Sequence, residues 1–127
     1  MEQRLTVKFQ KLIGTSIFPP GHFYEGQKFE RLDPTSQARR GTLFALLTLS
    51  GPKELEAAVF GQAIFDSLEE DYFNNLETPP LAALEKAAFT AHRRLSDMAL
   101  AAHLSQGLDF NLLLAVSWGK VLYLCRL

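Results

Sequence analysis

Cysteine, tryptophan and net charge are what this chain of 127 residues has least of. Its one cysteine, Cys125, cannot form an internal disulfide, which excludes a disulfide-stapled fold and makes a reducing, cytoplasmic setting the expectation. A formal charge of −1, from 13 basic and 14 acidic residues, gives no electrostatic motive for binding nucleic acid or an anionic membrane. No run approaches the roughly 20 consecutive apolar residues that span a bilayer. Met1-Glu2-Gln3-Arg4 begins no signal peptide, so a soluble protein is expected. Metal-ligand spacing is missing too. His92 and His103 stand eleven residues apart in a segment read as helix, about 16 Å of rise, and His22 is remote from both. Glycines occur singly, with no loop that cradles a phosphate.

What is present is an ordinary globular composition, 47% hydrophobic and 21% charged, on a chain of single-domain length. The organising stretch runs from Gly41 to Tyr72. Leu43 to Leu49 is apolar except for Thr48, which predicts a strand buried on both faces. Ser50-Gly51-Pro52 breaks it, and Pro52 is placed for the first turn of a following helix. That helix is expected from Lys53 to about Leu76, since Leu55, Val59, Phe60, Ala63, Ile64, Leu68, Tyr72 and Phe73 recur at spacings of three and four. Thr78-Pro79-Pro80 opens a second helix with a cap residue followed by proline. In it Leu81, Leu84, Ala88, Ala91, Leu95, Met98 and Ala102 form a seam that suits packing against the first helix.

Around this centre lie shorter signals. Leu5, Val7 and Phe9 alternate with polar residues before Leu12 and Ile13, the pattern of a first strand. Gly14 through Gly26 reads as a loop, although Phe18, Phe23, Tyr24 and Phe29 are too many aromatics for an idle linker and some of them should pack beneath it. Gln27 to Leu32 predicts a short strand, Asp33-Pro34-Thr35-Ser36 a turn, and Arg39-Arg40 a solvated approach to the next strand. Asn111 to Ser117, the turn Trp118-Gly119-Lys120, and Val121 to Leu127 predict a hairpin. The expected fold is therefore α+β, a mainly antiparallel sheet with two long antiparallel helices on one face. Ser50 lacks the first glycine of Gly-x-Ser-x-Gly and any evident base, so a helix cap is its expected role. Cys125 reads as a small buried hydrophobe.

Gly41 to Gly51 resembles the strand and turn that precede the first helix in the PPM-type metal-dependent protein phosphatases. The order of elements is similar as well. Asn111 to Leu127 resembles the strand pair that in that family runs into Gly-Asp-Ser-Arg. The likeness covers most of the chain in pattern rather than identity, and it implies half of an αββα sandwich. The family's metal turn reads Asp-Gly-x-Gly-Gly, and here Thr48, Leu49, Ser50 and Gly51 occupy it, with only Gly51 kept. Divalent cations of the Mg²⁺ class need converging carboxylates. The resemblance thus implies a degenerate domain with no metal, no cofactor and no two-metal hydrolysis.

The functional expectation is a protein-association or regulatory module. Apolar strands in half a sandwich would leave an unpaired edge or an uncovered face, with Leu112, Leu114, Val116, Val121, Tyr123 and Cys125 as the expected surface and a homodimer or a second half-domain as partner. The alternative is the N-terminal part of an active serine/threonine phosphatase whose remaining ligands lie beyond Leu127. A third reading has the aromatics from Phe18 to Phe29 lining a small-ligand pocket.

Overall fold

The computed structural model describes residues 19–74, 76–103 and 108–127. The strand expected over Leu5 to Ile13 lies outside them. Among the described residues the order is β1 (His22–Phe29), α1 (Pro34–Arg40), β2 (Thr42–Ser50), α2 (Ala57–Asn74), α3 (Pro80–Ala101), β3 (Asp109–Trp118) and β4 (Val121–Arg126). The four strands form one antiparallel sheet in the order β1-β2-β3-β4. The fold class is α+β, as the sequence predicts.

Both long helices lie on the same side of the sheet, α2 against β1 and β2, α3 against β3 and β4. Side chains alternate across a strand, so this one-sided cover divides each strand by parity. In β2 the odd positions Leu43, Ala45, Leu47 and Leu49 are buried, while Leu46 is half exposed. The expectation of burial on both faces is therefore corrected: β2 is buried on one. The core assembles Phe23 and Phe29 of β1, the odd residues of β2, and Leu112, Leu114 and Val116 of β3 under Ile64, Phe65, Leu68 and Tyr72 of α2 and Leu84 of α3. On α3 the buried stripe is mostly alanine, at 83, 87, 88, 91 and 99, and small side chains let that helix sit close to its neighbours.

Several boundaries differ from the sequence reading. The strand expected over Gln27 to Leu32 begins at His22 instead, because Gly26 is held in the ladder opposite Leu46 rather than breaking it. Of the aromatics expected to pack beneath the loop, Phe18 lies outside the described residues. Phe23 and Phe29 join the main core, whereas Tyr24 faces the other way and is 40% exposed. Asp33 does not begin an isolated turn but caps α1, its carboxylate accepting from the Ser36 N–H at 3.0 Å. That hydrogen bond holds the Asp33 pKa below the ordinary carboxylate value. Residues 53–56 form turns, and α2 starts at Ala57, so neither Pro52 nor Ser50 caps it. Val59 and Leu81 point to solvent rather than into the helical seam. For α3 the cap position is Pro79 and makes no side-chain cap bond, leaving Thr78 one place outside the helix.

The largest correction concerns Arg40, which is not solvated but 1% exposed. Its Nε donates to the Tyr72 carbonyl at 2.9 Å and its terminal nitrogen donates to the Thr78 carbonyl. The Tyr72 hydroxyl returns a bond to the Arg40 carbonyl at 2.6 Å. The guanidinium thus ties α1 to the C-terminal end of α2 and to the connection before α3. Burial holds the Arg40 pKa below its ordinary value and pushes that of the Tyr72 phenol strongly up, although each partly offsets the shift of the other. Arg39 stays on the surface and donates to the Leu76 carbonyl at 3.4 Å.

Candidate association face

The strand pairing fixes what the side of the sheet away from α2 and α3 presents. One row across it reads Gly26, Leu46, Leu113, Arg126, and the next reads Lys28, Phe44, Ala115, Leu124. Thr42, Ser117 and Leu122 form a third row at the hairpin end, and Tyr24, Thr48 and Asn111 a fourth at the other. Leu46 and Leu113 at the centre are 50% and 42% exposed, and Leu122 and Leu124 on the edge strand β4 are 62% and 65% exposed. The margin of this side is polar. Lys28 pairs with Glu30 at 3.4 Å, and both line a shallow depression of about 540 Å³ that also touches Phe44, Ser117 and Trp118. A contiguous apolar patch with a polar rim is the usual mark of a protein-interaction surface.

The residues expected to form such a surface fall elsewhere. Leu112, Leu114 and Val116 are fully buried beneath the helices, which removes them from any association surface in this fold. Tyr123 and Cys125 pack against the core from the covered side, and Val121 is 42% exposed at the hairpin. Parity explains the shift. In a run of leucines every residue is apolar, so hydropathy cannot tell which set faces the helices, and a one-residue change of register exchanges them all. Burial, with the negative charge of Glu85 as a smaller contribution, pushes the Cys125 thiol up and favours its protonated form.

The turn that resembles a metal site is a structural crossing. Thr48 stands on the open side opposite Tyr24 and Asn111, while Leu49 is buried. Ser50 ends β2 between His22 and Asp109. The Gly51 N–H donates to the Gly21 carbonyl at 2.9 Å. Gly21 has φ +80°, and a Cβ there would lie 2.4 Å from the Pro52 carbonyl oxygen, so the two turns meet backbone to backbone. Among the described residues no three His, Cys, Asp or Glu side chains gather where they could hold a metal ion.

The three histidines stand apart. The His22 Nδ1 lies 3.0 Å from the Pro20 carbonyl, the His92 ring packs at 5.5 Å from Phe110, and His103 is exposed beyond the end of α3. No described helix is long and apolar enough to cross a membrane. Compared with protein-family models, curated proteins and solved structures, the chain matches none.

Proposed function

We propose that this chain is a non-catalytic, PPM-phosphatase-like domain that works by protein association, and that the open sheet face is its contact surface. The observation that carries this reading is the set of exposed leucines, Leu46, Leu113, Leu122 and Leu124, on the side of the sheet away from the helices. Two helices over one side of an antiparallel sheet, with no helix over the other among the described residues, is the layer pattern expected of half an αββα sandwich. Such a face is stable in water only at a cost of roughly 25 cal/mol for each Å² of apolar surface left wet. A partner that covers it removes that cost.

A test needs only the dilute protein. Replacing Leu46, Leu122 and Leu124 by threonine should leave the far-ultraviolet circular dichroism unchanged and abolish the fluorescence of an apolar dye that the native chain binds. A native chain that binds no dye at sub-micromolar concentration, or that turns over an aryl phosphate with Mn²⁺, would overturn the proposal.

A further inference from the structure

We infer that β4 is the seam of a homodimer, its outer edge pairing antiparallel with β4 of a second copy about a two-fold axis that passes beside Leu124, perpendicular to the sheet. This contact uses a strand edge rather than the sheet face named above, and it does not depend on what lies over that face.

Hydrogen-bond parity identifies the groups at stake. Leu112 and Leu127 exchange both backbone bonds, at 3.3 and 2.9 Å. In an antiparallel pair such residues alternate with pairs that exchange none, so along the register it is Cys125, Tyr123 and Val121 that bond to β3. Leu122, Leu124 and Arg126 therefore turn their N–H and carbonyl groups away from β3, and among the described residues no strand lies there to receive them. All three residues are exposed. Sheet edges are commonly blunted by charged residues, proline or a bulge. The opposite outer strand among the described residues, β1, carries Glu25, Gly26 and Lys28, whereas β4 is uncharged from Val121 to Cys125 and pairs with β3 one to one without a bulge.

Self-complementarity names the occupant. The axis sets Leu124 opposite Leu124 of the second copy, and Leu122 opposite Arg126 on both sides of it, so each outward N–H meets an outward carbonyl. Displacing the register either way leaves Arg126 or Leu122 outside this set. The aliphatic stem of Arg126 lies beside an apolar neighbour, and no charge faces its own sign. The helices of both copies fall on one side of the joined sheet. With strands about 4.8 Å apart and α3 packed over both β3 and β4, the axis brings the two α3 helices to roughly 10 Å, the spacing of packed helices. An isologous contact of this kind closes on itself and does not propagate into fibres.

The test uses the whole chain. Light scattering during size exclusion at tens of micromolar should give the native protein twice the 14.2 kDa chain mass. Leu124→Pro deletes an N–H that points away from β3, a position where an edge strand tolerates proline. It should raise the dimer Kd by roughly 100-fold or more and leave the far-ultraviolet circular dichroism unchanged. Leu122→Lys sets a second cation opposite Arg126 and should weaken the dimer without removing a backbone donor. Adding Arg126→Glu to it should restore the dimer, because the two changed side chains then face each other with opposite charge. Leu46→Lys, two strands away from this edge, should leave the native mass unchanged.

A native monomer would overturn the proposal, and slow hydrogen exchange at its Leu122 and Leu124 amides would show that another part of the chain holds the edge. A dimer that survives Leu124→Pro, or one lost on Leu46→Lys instead, would take the contact off the edge. Failure of the doubly substituted chain to recover would overturn the register. Dye binding tests the face separately, so the two readings can fail independently.

Discussion

Leu46 and Leu47 are chemically identical neighbours on one strand, yet Leu46 is 50% exposed and Leu47 is 1% exposed. The same contrast separates Leu113 from Leu112 and Leu114 on β3. The covered side of the sheet is apolar because two helices pack there. The other side carries Leu46 and Leu113 at its centre without any helix among the described residues to account for them. Core formation therefore explains five of the seven leucines in β2 and β3, and the other two, Leu46 and Leu113, are left outside it among the described residues.

The largest effect expected from breaking this contrast comes from Leu47→Ala. It opens a cavity beneath α2 and should cost about 3 kcal/mol. Leu46→Ala, one residue away, should change stability by no more than about 0.5 kcal/mol. Urea denaturation at sub-micromolar concentration, where association does not contribute, reads both values. Similar losses at the two positions would mean that the two sides are not the different environments described.

A smaller effect sharpens the picture of the covered side. Gly61 lies where α2 crosses β1, and a Cβ there would sit 2.3 Å from the Phe23 ring. Alanine gains up to about 1 kcal/mol in helix propensity, but overpacking a filled core costs about 1–3 kcal/mol. Gly61→Ala should therefore destabilise by about 1 kcal/mol net, and adding Phe23→Leu should cost less than the two single changes together. A stabilised Gly61→Ala protein would show that the helix is not held tightly to this face.

The smallest effect concerns the Arg40–Tyr72 exchange that anchors the cover. Tyr72→Phe loses one hydrogen bond and should cost about 1 kcal/mol near neutral pH. Because folding raises the Tyr72 pKa from its ordinary value of 10.0, the folded state keeps a proton that the unfolded chain releases. The corresponding stability is complete below pH 10.0 and falls as pH rises beyond it. Native protein should thus lose stability above that pH more steeply than Tyr72→Phe, as followed by denaturation at a series of alkaline pH values. Parallel curves for the two proteins would remove Tyr72 from the alkaline response.

The layered α+β arrangement, the β3–β4 hairpin and the two long helices were legible from hydrophobic period and turn residues. Parity within the leucine-rich strands was not. Without polar residues to alternate, Leu112 and Leu113 carry the same signal, and only the placement of α2 and α3 decides between them. Of the surface expected on Leu112, Leu114, Val116, Val121, Tyr123 and Cys125, the first three are buried under the helices and Val121 is exposed, while the exposed leucines of these strands are Leu46, Leu113, Leu122 and Leu124. Asp33-Pro34 suits a turn and a helix start equally, which hid α1. Arg40 was missed because its partners are the backbone carbonyls of Tyr72 and Thr78, more than 30 residues away, and carbonyls have no sequence signature.

Trp118 closes β3, and its indole N–H donates to the Ala38 carbonyl at 2.8 Å. It is also the one tryptophan in the chain, so the intrinsic emission of the molecule originates where α1 meets the sheet. Ultraviolet excitation near 295 nm therefore provides an optical gauge of that junction, readable without a label and separate from the helical signal of α2 and α3.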